Sequence, residues 1–328
     1  MADKVTKLTD VIVPELFTQY VIEKTTEKSA LIASGAVENN PQLNELVTGG
    51  GATLPMPKWD DLTGESQVWS EDDDIETEKI TSHKEIATLL FRAKGWSSHD
   101  LAACLAAADP MKAIGDLVAD WWVRDEKRIV MAILNGVFGA STMADHVLDI
   151  SGETVSKISG PAVLDAKQLM GDAADKLTMV YMHSAVLTEL QKQQLIAYVQ
   201  PANANISIPT YLGYTVISDD SAPVTLGTGG AKDVFTTYLL SRGCIQRGIG
   251  TPTRFVATET ERNAKRSTDT LYNRQAKVLH PKGVSWVASA SDIAKETPSN
   301  TELGTGTNWQ LVTDAKNVGM VALKHTLE

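Results

Sequence analysis

The side chains best suited to proton transfer or metal binding near neutral pH are six histidines: His83, His99, His146, His183, His280 and His325. None lies in an HExxH string, and no two stand three or four residues apart as ligands on one helical face would. The two cysteines, Cys104 and Cys244, exclude a disulfide framework and any CxxC zinc pair. Cys104 sits in Ala102-Ala103-Cys104-Leu105, an apolar setting that predicts a buried, inert thiol. Arg242 and Arg247 lie near Cys244 and could lower its pKa, but a packed strand position is the simpler expectation. Gly49-Gly50-Gly51 lacks the following Gly-Lys-Ser/Thr of a phosphate loop and reads as a flexible turn. The strings GxSxG and SxxK are missing, and no GxGxxG follows a strand. Asp219-Asp220 reads as a pair of turn carboxylates, because adjacency alone makes no acid/base couple. The sequon Asn205-Ile206-Ser207 matters only in a secreted chain.

One dense cluster of metal-binding types remains, Glu71-Asp72-Asp73-Asp74 with Glu76 and Glu78 behind it. A calcium loop of the EF-hand kind needs a glycine at its sixth position and a closing Glu, and both are missing. A solvated turn is the simpler reading. The chain therefore shows no catalytic constellation and calls for no metal and no cofactor.

The elements around these residues are more telling. The chain has 328 residues, 41 acidic against 30 basic, for a net charge of -11. With 43% hydrophobic and 22% charged residues it has a globular composition, long enough for one to three domains. The acidity argues against a general nucleic-acid binder, which needs clustered Lys and Arg. The start MADKVTKLTD lacks an apolar signal core, and no run approaches the ~18 apolar residues of a membrane span. A soluble, unsecreted protein is expected.

Pro14 to Ala33 predicts a helix with a thin stripe of Phe17, Tyr20, Val21, Leu31 and Ile32, an arm laid on a surface. Ala52 to Trp59 predicts an edge strand, since Pro55 and Pro57 cannot donate to a central ladder. Residues 63 to 99 predict a long hairpin with an acidic tip. Its strands are Gln67-Val68-Trp69 and the alternating stretch Lys79 to Ser97. Asp109 as cap and Pro110 at the first position open a helix of about 29 residues, roughly 43 Å long. Trp121 and Trp122 anchor it in a core, while Asp125-Glu126-Lys127-Arg128 breaks the stripe and is expected to face solvent or cross between packing environments. Residues 160 to 250 predict an α/β unit. It has a helix from Ser159 to Ala174 with Leu164 and Leu169 inward, and a strand Thr178 to Met182. A helix from Ser184 to about Tyr198 follows, then strands Gly213 to Ser218 and Val234 to Ile245. Thr253 to Ala288 is strand-rich with a basic middle at Arg262, Lys265, Arg266, Arg274 and Lys277.

This order of parts resembles the major capsid proteins of tailed bacteriophages with the Hong Kong 97-type fold. Local strings add to it: Gly50-Gly51-Ala52-Thr53-Leu54-Pro55-Met56-Pro57, Val278-Leu279-His280-Pro281-Lys282-Gly283-Val284-Ser285-Trp286, and Pro298-Ser299-Asn300 with Asn308-Trp309. The resemblance implies an α+β fold divided into an N-terminal arm (1–50), a lead-in strand of a peripheral domain (51–62), an extended hairpin or E-loop (63–99), and a spine helix of the peripheral domain (100–149). An axial domain (150–250) and return strands with a C-terminal segment (251–328) complete it. It implies a non-enzymatic subunit that builds an icosahedral shell from hexamers and pentamers, located in the virion and, during assembly, in the host cytoplasm. Its partners would be further copies of itself, a separate scaffolding protein, a portal, and packaged double-stranded DNA held without specific binding, with no membrane. The side chains expected at contacts between subunits are Phe17, Tyr20, Trp69, Glu71, Asp72, Asp73, Asp74, Lys79, Lys84 and Arg92. Crosslinking of the kind some members show is not carried over, because no partner Asn is singled out. The alternatives are an encapsulin-type nanocompartment shell protein, and an α/β enzyme centred on residues 160–250.

Overall fold

A computed structural model describes residues 5–6, 34–62, 64–69, 74, 77–106, 110–199, 208–229 and 231–327. The predicted arm helix Pro14 to Ala33 and the cap Asp109 lie outside them. The long helix runs Pro110–Gly139, 30 residues, close to its expected span. Its second half buries Ile129, Val130, Ile133, Leu134 and Val137 completely. Each such side chain stabilises by roughly 2 kcal/mol. Gly136 is required by the close approach of the chain at 303–309: a Cβ there would meet the Leu303 carbonyl at 2.0 Å.

Two sheets flank this helix. Among the described residues the first has six strands, with Thr268–Pro281 at its centre. Leu90–His99 pairs along one side of that strand, and Ile245–Gly250 and Thr258–Asn263 pair with successive halves of it. Val5–Thr6 adds in parallel to Leu90–His99, and Val37–Asn39 in parallel to Ile245–Gly250. The second sheet has eight strands, ordered Val147–Asp149, Met320–His325, Val234–Ser241, Leu177–Met182, Tyr214–Ser218, Ile208–Tyr211 and Ala197–Val199, with Val224–Thr225 beside Val234–Ser241. Its strand Leu177–Met182 is buried at every position but Thr178 because both faces are covered. Met179 and Tyr181 face the long helix, while Val180 and Met182 face the helices Gly160–Gln168 and Ser184–Lys192.

Several expectations are corrected here. The α/β unit is not closed within residues 150–250: Met320–His325 sits inside its sheet, between Val234–Ser241 and Val147–Asp149. Leu164 and Leu169 are exposed, because Ala162, Val163, Ala166 and Met170 form the inward face. The second helix stops at Lys192, and Tyr198 lies in a short strand. Val234 to Ile245 is two strands in two sheets, split by a turn at Gly243, whose φ of +63° favours glycine. Cys104 is exposed: Ala102 takes the inward face of a short helix, and two residues further the helix has turned about 200°. Cys244 is buried, as expected, though in the turn rather than a strand, and burial pushes its thiol up to about 12.

The charged interruption of the long helix crosses between packing environments, with only Arg128 of its four residues exposed. Glu126 and Lys127 are buried. Both Glu126 carboxylate oxygens lie 2.9 Å from Arg247 guanidinium nitrogens, on the six-stranded sheet. Lys277 of the same sheet is 3.9 Å from Glu126 and 5.4 Å above the Trp122 ring. Its pKa is lowered by burial, which outweighs the nearby carboxylates. Lys127 donates to Asp219 at 3.2 Å, at the end of a strand of the other sheet. Removing one partner of a buried pair strands the other charge. E126Q is therefore expected to lower the unfolding free energy by about 3 kcal/mol. Asp116→Asn, at an exposed carboxyl of the same helix, should change it by less than about 0.5 kcal/mol. Urea unfolding of the isolated chain measures both, and equal losses would count against a buried clamp.

Candidate assembly surfaces

The hairpin differs from its predicted form. Its paired strands are Thr53–Trp59 and Ser82–Thr88, in register from Thr53↔Thr88 to Trp59↔Ser82. Gln67-Val68-Trp69 is not a strand, and Lys79 to Ser97 breaks at Leu89. There the chain leaves the two-stranded sheet for the six-stranded one. The Thr297 hydroxyl bridges the break, donating to the Leu89 carbonyl at 2.9 Å and accepting from the Phe91 N–H at 3.3 Å.

The root of the hairpin is apolar and closed. Leu54, Ala87 and Leu89 pack with Leu43, Val47, Ala276 and Val278. The Ile86 N–H donates to Ser285 Oγ at 2.9 Å. Between the strands and the six-stranded sheet lies Glu85, only 1% exposed, with Lys58 Nζ at 2.5 Å and His280 Nε2 at 3.1 Å. Burial pushes its carboxyl up, but the hydrogen bonds to His280 and Lys58 outweigh burial and hold it at about 2. At the outer end Asp60 accepts from the Thr81 hydroxyl and lies 2.5 Å from His83 Nδ1. These contacts, Thr81 foremost, hold its carboxyl below the usual range.

Beyond Asp60 the character reverses. Trp59, Leu62, Val68, Trp69 and Ile80 are all exposed, Val68 and Trp69 at 87%. Single exposed apolar residues are ordinary, but several large ones on one protrusion mark a surface that another body covers. A smaller group, Leu195, Tyr198, Val199 and Leu212, is exposed at the far edge of the eight-stranded sheet.

Of the side chains expected at contacts, Trp69, Asp74, Lys79 and Lys84 are exposed on the hairpin. Arg92 is not on it: it is half-buried and donates to the Pro298 carbonyl at 2.8 Å and Asn300 Oδ1 at 3.1 Å of its own chain. Phe17, Tyr20, Glu71, Asp72 and Asp73 lie outside the described residues. Trp59, Leu62, Val68 and Ile80 were missed. Their signal is large apolar types within a polar, acidic stretch. Among the described residues no three His, Cys, Asp or Glu side chains form a group able to hold a metal. Three of the five cations of the basic middle are engaged within the chain: Arg262 pairs with Asp100 and Asp269, Arg274 pairs with Glu259, and Lys277 is buried.

Residues 106–321 match the Gp13-like family, described as major capsid protein 13-like. The chain is 46% identical over 325 residues to the major capsid protein of Bacillus phage SPP1, covering 98% of this chain and 99% of that one. The chain belongs to the Gp13-like major capsid protein family. The fold agrees with this membership. It is similar to the capsid asymmetric unit of cyanophage Pam1, with a TM-score of 0.63 at 12% identity over 100% of this chain and 99% of that one. The SrpI encapsulin complex of Synechococcus elongatus shares the fold more loosely, with a TM-score of 0.52 at 9% identity over 93% and 90%. Sequence relationship therefore favours the phage capsid over the encapsulin reading. As a capsid protein the chain belongs to the virion and works as many copies of itself.

Two buried groups, His325 and Glu85, are among those in this capsid subunit that respond to acid. His325 Nε2 lies 2.9 Å from Thr237 Oγ1 inside the eight-stranded sheet, and burial pushes its ring down to about 4. Both His325 and Glu85 have folded pKa values below their ordinary ones, so each stabilises at higher pH and loses that contribution on acidification. The His325 share is expected to fade from about pH 6.5 to 4, and the Glu85 share from about 4.5 to 2. Unfolding free energy measured against pH should fall through both windows. H325Q should flatten the upper one, and E85Q should make the lower one shallower without abolishing it, since Glu189 is held at about 2 as well.

Proposed function

We propose that this major capsid protein self-assembles through hexamers and pentamers into the icosahedral shell that encloses phage DNA. The observation that carries the reading is the hairpin: a buried, ion-paired root and an outer part whose Trp59, Leu62, Val68, Trp69 and Ile80 are exposed. A neighbouring copy supplies the cover. In this reading the lead-in strand of the peripheral domain lies within 51–62 and the E-loop within 63–99, ending at Thr88 before Leu90–His99 joins the six-stranded sheet. Pro110–Gly139, within 100–149, is the spine helix of the peripheral domain. Residues 1–50 form the arm and 150–250 most of the axial domain, with Ile245–Gly250 already in the six-stranded sheet. Residues 251–328 return through the peripheral domain before Met320–His325 re-enters the axial sheet. Shell symmetry repeats each contact many times, so weak single contacts add up.

The net charge of -11 supports a lining that lets double-stranded DNA stay mobile. A separate scaffolding protein and a portal would guide closure in the host cytoplasm. The subunit's work is contact rather than catalysis.

Negative-stain microscopy of the purified protein, with and without lysate from infected cells, tests the assembly. Uniform shells, tubes or capsomer rings are expected, and a persistent monomer in both samples would sink the reading. The double variant W59A/W69A removes two large exposed aromatics from each hairpin. Losing about 3 kcal/mol per contact would raise the concentration needed for assembly on the order of a hundredfold. Its unfolding curve should match that of the parent chain, since both side chains are exposed in the subunit.

A further inference from the structure

Strands Thr53–Trp59 and Ser82–Thr88 form a sheet of only two strands, so Thr53–Trp59 has an unpaired edge among the described residues. In an antiparallel pair, backbone groups point alternately toward the partner strand and away from it. The hydrogen bonds fix which residues do which. The Leu89 N–H donates to the Ala52 carbonyl and the Asp60 N–H to the Thr81 carbonyl, so the even-numbered residues 52 and 60 face inward. The Ile86 N–H points away from its partner Pro55, toward Ser285. Thr53, Pro55, Pro57 and Trp59 therefore turn their backbone outward along the free edge. At the two central positions the outward group is a proline nitrogen, which has no hydrogen to donate. The middle of this edge offers carbonyl oxygens and no N–H.

We propose that Pro55 and Pro57 close the free edge of the hairpin to strand addition, so that a second copy meets the hairpin through its side-chain faces and apolar outer part. This rests on the reading of the hairpin as an intersubunit contact. A second strand laid along the edge would need donors from residues 55 and 57 and would find none. The need for such a guard is physical. The hairpin protrudes, carries large exposed apolar groups and has an open edge, which is the combination that invites edge-to-edge pairing between copies. The opposite edge needs less protection, since its Ile86 N–H is already taken by Ser285. Both prolines are exposed and take no part in the apolar cluster at the root, so packing does not explain them.

The test is the double variant P55V/P57V in the full-length chain, which restores both donors, with Thr53→Val as the control. Thr53 is an outward, exposed position on the same edge, so its substitution adds β-preference and apolarity without adding a donor. Under conditions where the parent forms closed shells, P55V/P57V is expected to yield at least tenfold more fibrous or sheet-like pelletable material, and T53V no more than the parent. In the pelleted variant the new amides at 55 and 57 should be protected from hydrogen exchange. Closed shells in parental yield, with both amides exchanging freely, would overturn the proposal. Should the double variant melt early, P55V and P57V singly carry the same exchange test, each restoring one donor. If the parent itself forms no shells, the assembly reading fails, while the edge claim is still decided by whether the variant and not the parent stacks through these amides.

Discussion

The arrangement of this subunit depends on two neighbouring charges on one helix. Glu126 and Lys127 are adjacent, so they point about 100° apart. One reaches Arg247 and Lys277 on the six-stranded sheet, and the other reaches Asp219 beside the eight-stranded sheet. Apolar packing tolerates a helix that slides or rolls a little, because one aliphatic contact replaces another. Buried charges do not, because a displaced carboxylate leaves a guanidinium stranded at a cost of several kcal/mol. The pair therefore fixes the rotation and height of the helix against both sheets together. Tyr181, Tyr238, Leu279 and Trp286, contributed by different parts of the chain, pack against the helix within that frame.

The frame explains where sequence reasoning succeeds and where it stops. The long helix is legible because Pro110 opens it and apolar spacing carries it for many turns. The strand at 177–182 is legible as a short apolar run from Thr178 to Met182. What does not show is which runs meet. Met320–His325 pairs with Val234–Ser241, some eighty residues earlier in the chain, and local patterning carries no trace of that choice. Glu126 and Lys127 look solvated for the same reason. Asp219 lies 92 residues from Lys127, and Arg247 lies 121 from Glu126. Cys104 and Leu164 fail differently: their types are apolar, but small alanines on the same helices take the inward faces.

The candidate surface was half legible. The acidic run draws attention to the hairpin, and the exposed groups most in need of cover there are the apolar ones around it. Trp59 and Leu62 fall in what reads as a lead-in strand and its turn, so their place on the outer hairpin appears only once the register with Ser82–Thr88 is known. Arg92 shows the converse. A cation near an acidic hairpin invites an intersubunit role, but its partners are carbonyl and amide oxygens of its own C-terminal segment.

A capsid subunit must be firm inside and reversible outside, and the distribution of interactions meets both demands. The costly interactions are internal: the Glu126 pairs, the Glu85–His280 contact at the hairpin root, and apolar cores on both faces of the eight-stranded sheet. Part of the basic charge is engaged there or in pairs such as Arg262 with Asp100 and Asp269, which withdraws those cations from phosphate. The hairpin carries the opposite inventory. Its outer part offers apolar area and its free edge withholds backbone donors. Contact through side chains is geometrically selective and individually weak, so a misplaced subunit can leave before many contacts accumulate. Contact through a growing backbone ladder would be stronger and indifferent to sequence, and a shell that closed by it could not correct its mistakes.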